Sequence, residues 1–160
     1  MNVVIGAADC HVTGDTTSVL VIHALGSCVG VSIYDPVARV GGLLHFMLPE
    51  APADAAQTGK SPYMFADSGI PRMFRAAYEK GAQKRRLRVR VAGGAQIAGD
   101  NGVFNIGQRN CLAMRQIFRE AGVIVHAEET GGNIARTMRF DLASGRLFLR
   151  SPGDPEEREM

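Results

Sequence analysis

Cys28 and His45 are the two side chains of this sequence whose chemistry reaches furthest, because Cys28 immediately precedes one apolar segment, Val29 to Tyr34, and His45 lies within another, Val40 to Met47. Those segments read as the arms of a β-hairpin around the Pro-containing connection Asp35-Pro36-Val37-Ala38-Arg39. In the register that pairs Val29 with Leu44, Val31 with Gly42 and Ile33 with Val40, the apolar set shares one face and Cys28 opposes His45 on the other. Shifting by one residue would set Cys28 against Phe46 and carry His45 onto the apolar face. Cross-strand Cβ atoms about 4.5–5.5 Å apart let a thiol and an imidazole share a proton.

A cysteine beside an imidazole becomes a thiolate near neutral pH, the species that attacks a carbonyl carbon. Gly26 and Ser27 make a tight approach to Cys28, so backbone N–H groups there are candidates to hold a developing oxyanion. Gly30, Ser32 and Gly41 are expected to leave space on the same face for a substrate amide. The competing interpretation makes Cys28 a small buried hydrophobe and His45 a satisfied core histidine. The shared face and the Gly-Ser approach narrow the gap between the two.

The remaining candidates point to packing. Cys111 lies on the apolar face of an expected helix. Cys10 beside His11 could invite a metal together with His23 or His45, but no C-x-x-C or H-E-x-x-H spacing occurs, so no metal is expected. His126, in VIVHAEE, reads as a sheet residue. Lys80, Lys84, Arg85, Arg86, Arg88 and Arg90 form a basic cluster that reads first as a solvated strand edge and second as a surface for an acidic protein. Nucleic acid ranks below both, since no aromatic platform interleaves these charges. The Gly-rich pieces AGGAQIAGDNG and ETGGN match neither G-x-G-x-x-G nor a P-loop, and read as turns.

The elements that must position Cys28 and His45 follow from periodicity. From Ser18, β-branched runs separated by Gly-Ser and Asp-Pro predict consecutive strands, and PEAPADAAQTGKSPY then predicts an exposed loop. Ile70, Met73, Phe74, Ala77 and Tyr78 share a helical face, with Pro71 in the first turn and Gly81 as the stop. Arg86 to Val91 alternates as a strand. Cys111, Met114, Ile117 or Phe118, and Ala121 mark a second helix between Asn105 and Gly122. Val123 to Glu129 resumes extended structure, and Arg136–Leu142 and Arg146–Arg150 predict a hairpin around Ala143-Ser144-Gly145. The expectation is a single-domain, β-rich α/β sandwich of mixed sheets covered by about two helices, over residues 1–150, with 151–160 as a flexible polar tail.

Composition agrees. A chain of 160 residues, 46% hydrophobic and 21% charged, is long enough for one real core. Its net charge of +2 excludes bulk attraction to nucleic acid or anionic lipid. Nineteen glycines argue for many tight turns. The first residues, MNVVIGAADCH, read as no leader, the apolar run Val19 to Leu25 is too short to cross a bilayer, and three widely spaced cysteines suggest no disulfide framework. A cytoplasmic protein without membrane insertion is expected.

Taken together, ALGSCVGVSIYDP, GGLLHFMLPE, VAGGAQ, NIGQRN and AEETGGNIARTMRFDLASGRLFLR resemble the CheD family, the chemoreceptor glutamine deamidases of bacterial chemotaxis, from about Val4 to Arg150. The resemblance implies hydrolysis of selected glutamine side chains of methyl-accepting receptors to glutamate and ammonia, with Cys28 as nucleophile and His45 as base. It also implies a sandwich like the deamidase domain of cytotoxic necrotizing factor toxins, and no cofactor. Family members typically carry a catalytic Thr five or six positions before the Cys, where this sequence has His23 and Ile22. His23, or a hydroxyl such as that of Ser27, is the candidate for that third role. In some systems the family also docks on the phosphatase CheC. The rival classes are a noncatalytic adaptor gripping receptor or phosphatase, and a thiol peptidase or transglutaminase working through the same acyl-enzyme.

Overall fold

A computed structural model describes residues 1–97 and 105–160. The second half of AGGAQIAGDNG therefore lies outside the described residues. Two five-stranded sheets form the frame. The first runs in the order β1 (Asn2–Val4), β3 (Val19–Leu25), β8 (Arg136–Asp141), β9 (Arg146–Arg150) and β10 (Arg158–Glu159). The second runs β2 (Asp9–Thr13), β5 (Val40–Phe46), β4 (Val29–Asp35), β6 (Arg88–Gly93) and β7 (Ala127–Thr130). Both are mixed, because β1 pairs with β3 and β6 with β7 in parallel while their other neighbours run antiparallel. The expected β-rich α/β sandwich is the fold observed.

Alternation along the strands builds two cores. Val29, Val31, Ile33, Leu44 and Phe46 face two helices, α1 (Ala66–Glu79) and α2 (Ile106–Ala121), which contribute Ile70, Met73, Phe74, Met114 and Phe118. The opposite face of the same strands, with Tyr34 and Leu43, meets Leu20, Ile22, Leu25, Met138, Phe140 and Leu149 of the first sheet. β4 and β5 are therefore buried along their whole length.

Several elements differ from expectation for local reasons. α1 begins at Ala66, so Pro71 stands in its second turn rather than its first; residues 66–69 have no apolar period to announce them. Asn105 precedes α2 in a left-handed conformation and makes no side-chain cap. The basic cluster is solvated only in part: Lys80, Lys84, Arg85 and Arg88 are exposed, but the strand is no edge and Arg86 and Arg90 are engaged. β6 lies between β4 and β7, Arg86 pairs with buried Asp35 at 2.9 Å, and Arg90 is 8% exposed with Nη2 donating to the Gly145 carbonyl at 2.7 Å.

The hairpin register also shifts. Val29 pairs with Phe46, Gly30 with His45 and Val31 with Leu44, two residues away from the register expected. The cause is the turn: Asp35 pairs with Val40 and accepts from the N–H groups of Val37 and Ala38, closing a tighter loop in which Arg39 has φ 55°. Finally, the polar segment 151–160, expected to trail, carries β10, which pairs with β9. Ion pairs Arg139–Glu157 at 2.7 Å, Arg146–Glu159 at 2.8 Å and Arg158–Glu129 at 2.6 Å lay it along the sheet edge. Glu157, Arg158 and Glu159 of EEREM each meet a partner of opposite sign along that edge, which composition alone does not reveal.

Candidate active site

Cys28 ends the half-buried bend 26–28 that leads from β3 into β4. Three consecutive carbonyls of this bend are tied down. Gly26 O accepts from the Ala95 N–H at 2.8 Å, Ser27 O from Asn110 Nδ2 at 2.9 Å, and Cys28 O from the Gly94 N–H at 2.9 Å. A trans peptide points its N–H opposite to its C=O, so fixing the Gly26 and Ser27 carbonyls fixes the N–H groups of Ser27 and Cys28 on the other side. The Cys28 amide lies against its own sulfur. Burial pushes the Cys28 thiol pKa above its ordinary value, and that amide opposes the shift.

His45 sits in β5 opposite Gly30 and is 9% exposed. Its backbone carbonyl accepts from the Ala8 N–H at 2.9 Å, and its Nδ1 faces the Ile5 carbonyl at 3.4 Å. A carbonyl can only accept, so Nδ1 carries the proton in that contact and Nε2 keeps its lone pair. Burial lowers the His45 pKa, with the Ile5 contact acting the other way. The ring is therefore neutral at pH 7, the form required of a base. Both shifts favour a neutral thiol and a neutral imidazole at rest, so a thiolate forms only as its proton leaves.

Because the register moved by two residues, His45 opposes Gly30, and continuing the pairing past Val29 and Phe46 sets Cys28 diagonal to His45 instead of opposite it. A two-residue shift preserves side-chain parity, so both remain on the face between the sheets. Diagonal neighbours lie roughly 7–8 Å apart at Cα and somewhat less at Cβ, still within reach of an imidazole. The space expected beside them is filled. A Cβ at Gly30 would meet Met138 Sδ at 2.2 Å, and one at Gly41 would meet Phe140 Cε1 at 2.6 Å. These glycines admit the opposing sheet, and Ser32 is fully buried beneath it. On this side of β4 the chain becomes accessible at the half-buried bend 26–28.

The two residues at the family's Thr positions separate sharply. β3 bulges between Ile22 and Leu25, with Ala24 at φ 51° and its N–H held by Thr137 Oγ1 at 3.0 Å. Ile22 points between the sheets with no exposure, while His23 is exposed on the outer face of the first sheet, away from His45. His23 is exposed where His45 is buried, which speaks against its orienting the imidazole, and Ile22 has no hydroxyl with which to do so. The contact that orients the ring comes from the Ile5 carbonyl, which side-chain types do not announce.

Asn110 was missed in the sequence although a signal existed: it is a polar residue one turn before Met114, on the buried stripe of α2. Elsewhere the structure agrees with packing roles. Cys111 is 4% exposed, and burial pushes the half-buried Cys10 thiol up to about 12, with Asp9 adding to the shift. His126 departs from the strand position expected for it: it is exposed in the bend just before β7 (Ala127–Thr130), where its Nδ1 accepts from the Val89 N–H at 3.1 Å and its backbone N–H donates to Val89 O at 2.7 Å.

Residues 47–151 match the family model described as CheD chemotactic sensory transduction. The chain is 46% identical over 155 residues to the "Probable chemoreceptor glutamine deamidase CheD" of Solibacter usitatus, covering 97% of this chain and 92% of that protein. It is 44% identical over 154 residues to the "Probable chemoreceptor glutamine deamidase CheD 1" of Syntrophus aciditrophicus, covering 96% of each. A third relative, from Anaeromyxobacter dehalogenans, is 44% identical over 149 residues, covering 93% and 94%. Among solved structures, a Neisseria meningitidis protein of the family model DUF152 matches with TM-score 0.44 and 12% identity, over 78% of this chain and 52% of that one. The chain spans about half the length of that protein.

Proposed function

The chain belongs to the CheD family of chemoreceptor glutamine deamidases, and on that premise we propose that Cys28 is its nucleophile and His45 its general base. The observation that carries this assignment is the common face of the two residues at one end of the β4–β5 hairpin, with Cys28 on a bend whose carbonyls are all tied. The substrate is a glutamine side chain of a chemoreceptor, presented at the open side of that bend.

As the Cys28 sulfur bonds to the glutamine Cδ, the thiol proton passes to His45 Nε2 and the carbonyl electrons move onto oxygen. The N–H groups of Cys28 and Ser27 are the donors for that oxyanion, the role proposed for the Gly26–Ser27 approach. Collapse of the adduct breaks the C–N bond, and the His45 proton leaves with the amide nitrogen as ammonia. Water then attacks the thioester, His45 takes its proton, and the carbon–sulfur bond breaks to release glutamate and restore the thiol. No step needs a cofactor. The product turns a neutral side chain into a carboxylate, which changes the charge pairing along a receptor helix.

Residues 1–150 form the deamidase unit in this proposal, and the enzyme acts in the cytoplasm on the signalling part of the receptor. A CheC-type phosphatase is the second partner the family resemblance implies. Among the described residues no helix is long and apolar enough to cross a membrane. Mass spectrometry of purified receptor incubated with the enzyme tests the chemistry: each converted glutamine gains about 1 Da, whereas a peptidase splits the chain and a transglutaminase leaves an amine adduct. Cys28→Ala abolishes the gain. Receptor deamidated equally by that variant overturns the assignment of the nucleophile.

A further inference from the structure

We propose that Asn110 is a positioning residue for the reaction: by gripping the Ser27 and Met47 carbonyls it aims the Cys28 N–H as the oxyanion donor and pins the end of β5 that carries His45. The proposal rests on Cys28 and His45 being the reacting pair.

The carboxamide of Asn110 has no exposure to solvent, and its Nδ2 donates to Ser27 O and Met47 O at 2.9 Å each. Two carbonyls facing one group require the amide nitrogen there, since neither can donate. Ser27 C=O and Cys28 N–H belong to one planar peptide unit, so the first bond sets the direction of the Cys28 amide. Met47 follows His45 by two residues and lies opposite Cys28 when the β4–β5 pairing is continued. One side chain thus joins the nucleophile's peptide to the strand of its base. Packing alone does not call for such a group. The stripe around it is apolar, with Met114 and Phe118 buried, and among the described residues Asn110 Oδ1 is a buried acceptor with no partner.

The test uses the full chain and purified receptor with two variants, Asn110→Ala and Asn110→Ser, the second keeping one donor. Two rates are compared: ammonia release, which passes through an oxyanion, and alkylation of Cys28 by iodoacetamide, a displacement at saturated carbon that forms none. Asn110→Ala is expected to lower kcat by about 10–100-fold with KM within about twofold, and Asn110→Ser to recover part of the loss. Alkylation of Cys28 stays within about twofold of wild type in both. Unchanged kcat in folded Asn110→Ala overturns the proposal. So does alkylation that rises as kcat falls, since it marks a loosened scaffold rather than a misdirected amide. Failure of both variants to fold assigns Asn110 to the scaffold and overturns it as well. Ammonia release that survives Cys28→Ala defeats the underlying assignment of the nucleophile instead.

Discussion

Replacing Asp35 by alanine probes the turn that sets the hairpin register and, through it, the site. The carboxylate is fully buried and accepts from the N–H groups of Val37 at 2.9 Å, Ala38 at 3.0 Å and Gln83 at 2.8 Å, and from Arg86 Nε at 2.9 Å. Burial pushes its pKa up, but these donors outweigh burial and hold it below the usual carboxylate range. Alanine deprives all four donors of their acceptor. Val37 and Gln83 are exposed, Ala38 is half-buried and the Arg86 side chain is 21% exposed, so water takes over part of each bond. At about 1 kcal/mol net per bond the loss is about 4 kcal/mol. For a chain of this length that lowers Tm by about 8–16 °C. A carboxylate with a depressed native pKa stabilises fully above its unfolded value, about pH 4, and loses that contribution as pH falls through the native value. Wild type therefore sheds this share of its stability below about pH 4, whereas Asp35→Ala and Asp35→Asn have none of it to shed. Thermal unfolding followed by circular dichroism from about pH 2 to 7 measures both effects. A drop smaller than about 3 °C at neutral pH, or an Asp35→Asn variant with the wild-type acid limb, refutes the reasoning.

Three further outcomes follow from the geometry of the bend. Gly93 has φ 109°, and a Cβ there would lie 2.3 Å from the Cys28 carbonyl. Gly93→Ala therefore lowers stability by about 2 kcal/mol or more in urea unfolding and slows ammonia release by at least about tenfold; near-wild-type values for both would mean that the bend is not held as described. His23→Ala leaves kcat within about twofold of wild type, because the ring lies on the outer face of the first sheet; a large loss in steady-state assays would return His23 to the site. Burial raises the Cys28 pKa, so its alkylation by iodoacetamide, read by peptide mapping, is slow at pH 7 and climbs into the alkaline range. A rate flat from about pH 6 to 9 would reveal a preformed thiolate–imidazolium pair and contradict the neutral resting state.

The sequence by itself determined which face each strand residue takes, which helical stripes are apolar, and which motifs carry the family. All three are short-range properties: alternation along a strand and periodicity along a helix repeat every few residues, and LGSCVGV and HFMLP are contiguous. That is why Cys28 and His45 came out on one face even though the register expected for them was two residues off, since parity survives such a shift. Only the tertiary structure decided the rest. Which residue opposes which depends on Asp35, whose ligands include Gln83 and Arg86 from the segment after α1, far along the chain. Whether a glycine leaves room or admits a neighbour depends on the sheet packed over it, and at Gly30 and Gly41 Met138 and Phe140 take the space. A bulge after Ile22 returned Leu25 to the inner face, and a carbonyl near the N-terminus took up the imidazole. Each of these outcomes is a contact between segments distant in sequence, settled when the two sheets and α2 close on one another and invisible to any pattern read along the chain.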